Sequence, residues 1–394
     1  MGSKNFSLPE YAERYEYVRF SPDQAFQPPA NGQTQIKNGH TWTINDRTGI
    51  YDYSKGFFDV RISISAVANG AVPNAAHAVA LLNGAHSIIN RLQVQESRGA
   101  VLYDTTDVNV AVHKHKLLTM PLDYAVGLGE NELWFHEDED NLGRTANAIL
   151  RTAEIAANGG NTGHIARANV FLPGDQISLK IPLNAYSFFR SLDFNNVFLT
   201  GMQMKFTVDL ETDARAMWQT YASLGTVYRF WVHKMDLMLP QLNLHPKFAD
   251  EYIKGLQSPI RWRYLRENVF TQAATRAASG RFRLALLTNP KKVLIFFSRN
   301  RNLPGENFQH HDPLTNIGSD VGVDGVVAAA GVALNSCRLE FSDGSFYPRS
   351  DYIIGAEKTD LSRITTISWS TITLMTICLD QTKLNVIYLK TSTQ

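Results

Sequence analysis

Two short stretches place histidines close enough together to suggest a metal site. In "HKHK", His113 and His115 stand two positions apart, which would put both on one face of a strand. In "FQHHDP", His310, His311 and Asp312 are adjacent in sequence. A zinc site needs three or four converging ligands. His113 and His115 have no third ligand nearby and stand beside two lysines. In the second stretch, adjacent histidines on a strand would point to opposite sides. The sequence therefore predicts no metal and no cofactor.

Carboxylates cluster at two places. "LETD" holds Glu211 and Asp213, but a glycosidase pair would face each other across a cleft, and this spacing at a strand end predicts a rim instead. "ELWFHEDED" lacks the glycine and the spaced ligands of an EF-hand loop, so a solvated acidic loop is predicted. Its acids, which are candidates for an interface, are Glu132, Glu137, Asp138, Glu139 and Asp140. The chain contains no nucleophile elbow, phosphate-binding loop or zinc-protease motif, so no catalytic residue and no enzymatic activity are predicted.

A strongly basic segment covers residues 254–301. It holds eleven basic residues and a single acid, Glu267, so its net charge is +10 in a chain whose total is +1. Such a segment is either a solvated strand face or a surface that binds an anionic partner, which would be nucleic acid or the acidic loop of a neighbouring copy. The candidate contact residues are Arg261, Arg263, Arg281, Arg283, Lys291 and Lys292.

Strict alternation of apolar and polar residues indicates the elements that carry these side chains. In "FFDVRISISAV", every second residue from Phe58 to Ala66 is apolar, which predicts a half-buried strand. The other strand candidates are 177–183, 202–210, 260–264, 281–286, 291–299 and 383–390. One helix is predicted after Pro246, and residues 107–118 fit a strand or a helix equally well. Many short strands separated by turn residues predict an all-β protein of antiparallel sandwiches with a few short helices.

The bulk composition permits a large folded core. Hydrophobic residues make up 44% of the 394 positions and charged residues 19%. The two cysteines show no metal-binding or disulfide pattern. The chain starts without an apolar secretion signal and contains no apolar run long enough to span a membrane. The proline-flanked segment 240–246 is the predicted boundary, which gives an N-terminal arm at 1–50, a first domain at 51–240 and a second at 241–394.

One phrase occurs twice. "RLQVQESRGAVLYD" begins at Arg91 and "RLEFSDGSFYP" at Arg338, and each runs from an apolar strand through a glycine-containing turn to a tyrosine. The repeat suggests an internal duplication of a strand–turn–strand unit. The residues predicted to shape these hairpins are Gly99, Asp343, Gly344, Tyr347 and Pro348.

These hairpins resemble those of the double jelly-roll major capsid proteins of DNA viruses, in particular the polinton-like, virophage and adintovirus-like branch. The resemblance also includes "YRFWVHKMDLMLPQL" and "NPKKVLIFFSRNR", and it extends thinly over residues 54–352. It implies two tandem antiparallel jelly-roll β-sandwiches in one chain. It further implies a homotrimer whose six rolls form a pseudo-hexagonal capsomer of an icosahedral shell.

The resemblance also implies partners and a location. The chain would associate with itself as a trimer and then as a capsid lattice, and with a penton or minor capsid protein. Contact with packaged DNA is one of the interpretations of the basic segment 254–301. It would lie in the virion after synthesis in the cytoplasm or nucleus of the host cell. The second phrase stands much nearer to the end of the chain than the first stands to residue 240, so the second roll is expected to be shortened or to lack some loops.

A second hypothesis assigns the chain to another class of protein. A β-sandwich that binds carbohydrate, or a glycosidase, would present aromatic side chains as a platform for a sugar. The candidates are Trp134, Trp218, Trp231 and Trp262. This hypothesis requires that these rings share one exposed surface, whereas aromatic residues in strands usually belong to the core.

Overall fold

The structure is a computed structural model of the chain. It describes residues 12–27, 35–46, 49–66, 79–82, 84–96, 99–121, 124, 127–134, 176–194, 198–200, 204–219, 228–246, 248, 250, 252, 254, 263–273, 280–282, 290–298, 336–340, 346–353, 365–367, 374–377 and 383–393. From residue 255 onwards it describes the backbone of the strands together with the side chains of Glu267 and Val269.

The described part of the first half of the chain contains twelve strands. They are β1 (Ala12–Phe20), β2 (His40–Ile44), β3 (Ile50–Tyr51), β4 (Phe57–Ala66), β5 (Val79–Leu81), β6 (Ile89–Gln95), β7 (Val101–Thr105), β8 (Ile177–Pro182), β9 (Leu199–Thr200), β10 (Met204–Leu210), β11 (Met217–Gln219) and β12 (Tyr228–Leu244). The helices are α1 (Val108–Thr119), α2 (Ser187–Phe194) and α3 (Asp213–Ala216).

Eight of these strands pair in a nested order. β1 pairs with β12, β2 with β10, β4 with β8, and β6 with β7, all antiparallel. Further pairing of β4 with β12 and of β6 with β10 joins them into two sheets, β1-β12-β4-β8 and β2-β10-β6-β7. A long hairpin that wraps into two facing sheets in this way is a jelly roll. The first half of the chain is therefore one complete roll.

The core of the first roll lies between its two sheets. Trp42 of β2 packs against Phe58 of β4, with ring centroids 5.3 Å apart, and Phe189 of α2 stacks on Phe206 of β10 at 5.8 Å. Along β4, Phe58 and every second residue to Ala66 are buried while the residues between them are partly or fully exposed. The alternation in the sequence therefore predicts this strand correctly.

The second half repeats the same scheme with the remaining strands. They are β13 (Arg263–Ala273), β14 (Gly280–Phe282), β15 (Pro290–Ser298), β16 (Ser336–Glu340), β17 (Phe346–Ile353), β18 (Thr365–Ile367), β19 (Leu374–Ile377) and β20 (Lys383–Thr393). Their sheets run β13-β20-β15-β18 and β14-β19-β16-β17. First pairs with last, second with seventh, third with sixth and fourth with fifth, as in the first roll. The predicted all-β double jelly roll is confirmed, and the second roll has all eight strands.

The two repeated phrases occupy the same place in their rolls. The first forms the innermost hairpin β6–β7, and the second forms β16–β17. In the first turn Gly99 has φ +89°, a left-handed conformation that favours glycine, and its N–H donates to Glu96 O at 2.8 Å. In the second, Asp343 and Gly344 lie outside the described residues.

Tyr347 and Pro348, which follow this turn in the sequence, belong to strand β17. β17 is at the edge of its sheet, where a proline that lacks an N–H is tolerated.

The domain limits differ from the expectation in the first half. Within the segment 1–50, which the sequence suggests is an N-terminal arm, β1 and β2 are the first two strands of the first roll because they pair with β12 and β10. The roll continues past residue 240, since β12 ends at Leu244. Pro240 lies where the partner of β12 changes from β4 to β3.

The structure decides the ambiguity at residues 107–118 and describes part of the helix predicted after Pro246. Residues 108–119 form α1 rather than a strand. Of the helix predicted after Pro246, residues 246, 248, 250, 252 and 254 are described, and all are helical. The hydroxyl of Tyr252 donates to Phe198 O at 2.7 Å, which ties this connecting helix to the first roll. No helix among the described residues is long and apolar enough to cross a membrane.

Candidate functional site at the junction between the two rolls

The histidines of "HKHK" do not form a metal site. Because they lie on α1, residues two apart point in different directions, and His113 is buried while His115 is partly exposed. Within the described ranges, no group of three histidine, cysteine or acidic side chains is arranged to hold a metal ion. Residues 310–312 lie outside those ranges.

Glu132 belongs to the interior and not to the solvated acidic loop that the sequence suggests. Its side chain is 7% exposed and forms an ion pair with Lys116 of α1, and it accepts a hydrogen bond from the hydroxyl of Tyr124. The Lys116 ammonium also lies 5.5 Å from the ring centroid of Trp134. Burial lowers the pKa of Lys116, and the neighbouring Glu132 opposes this shift. The other four acids of this segment, 137–140, are outside the described residues.

The predicted basic residues are divided between the two sheets of the second roll. Arg263 lies on β13, and Lys291 and Lys292 lie on β15, which are strands of the same sheet. Arg281 lies on β14 in the other sheet. Arg261 and Arg283 are outside the described residues. The predicted basic residues that are described therefore do not all lie on one sheet.

The single acid of the basic segment lies where the rolls meet. Glu267 of β13 is only 2% exposed, and β13 is contacted by α1, α2 and β7 of the first roll. The hydroxyl of Tyr103 donates to Oε2 of Glu267 at 2.7 Å, and Nη2 of Arg190 lies 3.4 Å from Oε1. The hydroxyl of Thr105 donates to the backbone carbonyl of Glu267 at 2.9 Å. A side chain of the second roll is thus held by donors from the first.

Two elements of the first roll position these donors. β7 closes the first repeated phrase, and its residues Tyr103 and Thr105 are both buried. Phe188, Phe189 and Leu192 of α2 pack into the core. The ring of Phe188 lies 6.0 Å from that of Tyr103 between centroids. Ser187, at the start of α2, donates to the Glu267 carboxylate from both its backbone and its side chain. The junction is therefore built on rigid secondary structure.

Burial dominates the electrostatics of the junction. Loss of solvent raises the pKa of Glu267, while Arg190, Tyr103 and Ser187 oppose the rise by favouring the ionised carboxylate. Burial likewise lowers the pKa of Arg190 and raises that of Tyr103 well above its ordinary value. Separating the buried Glu267 carboxyl group from its donors would cost free energy. The contact therefore favours one relative placement of the two rolls.

We expect this junction to give a measurable pH dependence. Because the pKa of Glu267 is higher in the folded state than in the unfolded chain, the folded state binds more protons between the two pKa values. The contribution of this group to stability is therefore present at low pH and is lost as pH rises from about 4.3, the ordinary glutamate value. The melting temperature of the wild type, relative to that of Glu267→Gln, should fall as pH is raised through this window. Parallel melting curves of the two proteins against pH would contradict the assignment.

The tryptophans proposed for a sugar platform are buried where they are described. Trp134 and Trp231 are both among the core residues of the first roll. The side chain of Trp218 and the whole of Trp262 lie outside the description. Two of the four candidate rings therefore cannot offer an exposed stacking surface.

Two complete rolls joined through a buried polar contact define a double jelly-roll protein. Its fold is similar to that of the Faustovirus major capsid protein, with a TM-score of 0.56 and 10% sequence identity over 99% of this chain and 91% of that one. It is also similar to a chain of the Sputnik virophage structure, with a TM-score of 0.54 and 12% identity over 100% of this chain and 88% of that one. No family model and no curated protein matches the sequence.

Proposed function

We propose that this chain is the major capsid protein of a DNA virus and forms homotrimeric, pseudo-hexagonal capsomers of an icosahedral shell. The observation that carries the proposal is the presence of two complete jelly rolls in one chain, fixed to each other through Glu267. The similarity of nearly the whole chain to the Faustovirus major capsid protein supports it. The role is structural, and the chain's place is in the virion.

The physical argument starts from the junction. Covalent linkage and the buried contact at Glu267 hold two similar units side by side, so one chain presents two rolls as a single body. Threefold closure of such a body gives six rolls around one axis, which is a closed symmetric plate. Plates of this kind tile a shell through contacts with one another and with a penton or minor capsid protein. We place synthesis in the cytoplasm or nucleus of the host cell.

Light scattering coupled to size exclusion tests the trimer. We expect the purified chain to elute with three times the mass of one 44.1 kDa chain at micromolar concentration. A stable monomer under these conditions would contradict the proposal that the chain forms a trimeric capsomer. The carbohydrate-binding hypothesis predicts that outcome, together with binding to a glycan array.

We further predict that the basic residues of 254–301 serve assembly rather than folding of the monomer. Exposed charges contribute about 0–1 kcal/mol per pair to the stability of a domain, whereas a concentrated patch creates a field that a polyanion or a partner can bind. Replacement of Arg261, Arg263, Arg281 and Arg283 by glutamine should leave the trimer and its melting temperature nearly unchanged. Shell formation or DNA retention should become weaker and more sensitive to salt.

The control for this prediction reverses the charges of residues 137–140. That variant should reproduce the assembly defect if the acidic loop of a neighbouring copy is the partner, and should not if packaged DNA is. Loss of soluble trimer in the glutamine variant would show that the arginines stabilise the fold itself.

A further inference from the structure

A lysine and an aspartate from distant parts of the first roll meet beside strand β12. Lys37 lies in the segment before β2, and Asp213 is the first residue of α3. Nζ of Lys37 lies 3.0 Å from Oδ1 of Asp213, and this contact joins positions 176 apart in the sequence. The two side chains are only 14% and 19% exposed. An amine and a carboxyl group are thus in contact and largely withdrawn from water.

Neighbouring strands fix both groups in place. The N–H of Leu210, at the end of β10, donates to the carbonyl oxygen of Lys37 at 2.6 Å, which holds the backbone of the lysine. The N–H of Phe230 on β12 donates to Oδ1 of Asp213 at 3.2 Å. The Lys37 amine also lies 3.1 Å from the centroid of the Phe230 ring. The contact between amine and carboxyl is therefore built on two strands of the roll.

The electrostatics of the pair favour nucleophilic attack by the amine. Burial lowers the pKa of Lys37, while the neighbouring Asp213 opposes this shift. A desolvated lysine is a stronger nucleophile because more of it is in the unprotonated form. The N–H of Phe230 points at Oδ1, where negative charge develops when an amine adds to the carboxyl carbon. Nε of Arg229 lies 3.9 Å from the other oxygen, Oδ2.

Burial distinguishes this pair from other lysine–aspartate pairs of the roll. Nζ of Lys55 lies 3.2 Å from Oδ2 of Asp52, and Nζ of Lys234 lies 2.6 Å from Oδ2 of Asp236. The side chains of Lys55 and Lys234 are 47% and 41% exposed. Water stabilises the ammonium form, which is not nucleophilic. Distance alone therefore does not single out Lys37, whereas distance together with burial does.

We propose that Lys37 and Asp213 form an intramolecular isopeptide bond. Nζ of Lys37 adds to Cγ of Asp213, so that a C–N bond forms and the bond from Cγ to Oδ2 breaks. Two protons of the Lys37 ammonium leave with Oδ2 as one water molecule. An ammonium and a carboxylate are thereby converted to an amide and water, with no oxidant or other reactant. Oδ1 remains as the amide oxygen and keeps its hydrogen bond from the N–H of Phe230.

The bond would close a covalent ring within the first roll. The ring contains every strand from β2 to β10. Closing so long a loop restricts the unfolded chain and leaves the folded one unchanged, so it stabilises the roll. The bond requires contacts of a single chain only. The inference therefore goes beyond the proposed function and does not depend on the trimer.

Mass spectrometry of the denatured wild-type chain tests the proposal. Trypsin does not cut after an amidated lysine, so we expect one linked peptide that joins residues 20–47 to residues 206–215. Its mass should equal the sum of the two peptides less one water. Lys37→Arg keeps a positive charge beside Asp213 but has no amine to form the amide, and it should lose the linked peptide. The matched control Lys55→Arg should retain it.

Two further measurements complete the test. Asp213→Ala should lose the linked peptide as Lys37→Arg does. The melting temperature of Lys37→Arg should be several degrees below that of Lys55→Arg, because the ring is open. Wild-type protein that yields peptide 206–215 only in its unlinked form would overturn the inference, as would a link that persists in Lys37→Arg or that maps to residues 116 and 132. A trimer that lacks the bond would refute this inference and leave the proposed function intact.

Discussion

Truncation after Thr382 is expected to abolish the fold of the second roll. This removes β20, which lies inside its sheet and pairs along its length with β13 on one side and with β15 on the other. The sequence pattern puts Leu384, Val386 and Tyr388 on one face of this strand, and we expect burial of each to contribute about 1.5–3 kcal/mol. Loss of the backbone pairing on both edges adds to this cost. Differential scanning calorimetry should show the transition of the second roll missing.

The matched control is deletion of Gln394 alone, which leaves β20 complete. That protein should melt as the full chain does. A truncated chain with an unchanged melting temperature would mean that residues 383–393 do not stabilise the roll in solution. A defect confined to trimer or shell assembly would mean that the strand pairs with a neighbouring copy, against the pairing observed within the chain.

Replacement of Glu267 by alanine is expected to destabilise the contact between the rolls by about 1–3 kcal/mol, the typical cost of removing an acceptor and leaving its buried donors unsatisfied. The substitution leaves the guanidinium of Arg190 and the hydroxyl of Tyr103 without the acceptor that holds them. Denaturant unfolding should show a lower midpoint, and limited proteolysis should cut the connection between the rolls faster. Glu267→Gln keeps the shape and part of the hydrogen bonding, so its effect should be smaller.

A double-mutant cycle separates the junction from general packing. Tyr103→Phe removes only the hydroxyl that donates to Glu267, and the ring can still pack against Phe188. The two substitutions, Tyr103→Phe and Glu267→Gln, should therefore couple by about 0.5–3 kcal/mol, as groups in one hydrogen-bonded network do. Strictly additive effects would show that Glu267 contributes through burial alone.

The strands that the sequence predicts best are those with one face in the core and one in water. β4, β8 and β10 follow the apolar alternation closely because their outer residues remain partly exposed. The alternation does not identify α1, because "DVNVAVHKHKLL" fits the period of a strand as well as that of a helix. The helical form of this segment depends on its packing within the first roll. A very short strand such as β18 gives no periodic pattern, and only its partner β15 identifies it.

The junction was only partly visible in the sequence. Glu267 is conspicuous as the one acid among eleven basic residues, and Tyr103 closes the repeated phrase. Their contact joins residues 164 positions apart, which local patterns cannot show. Glu132 illustrates the opposite error, because its acidic neighbours suggest a solvated loop whereas tertiary packing pairs it with Lys116. In each case the position in the fold, and not the local sequence, determines the role of the charge.

Electron microscopy of the purified chain in negative stain tests the central claim most directly. If the chain is a double jelly-roll capsid protein, class averages should show particles with a hexagonal outline and threefold symmetry, built from six lobes of similar size. Two-lobed particles that correspond to single chains, at concentrations where the protein remains folded, would contradict the account.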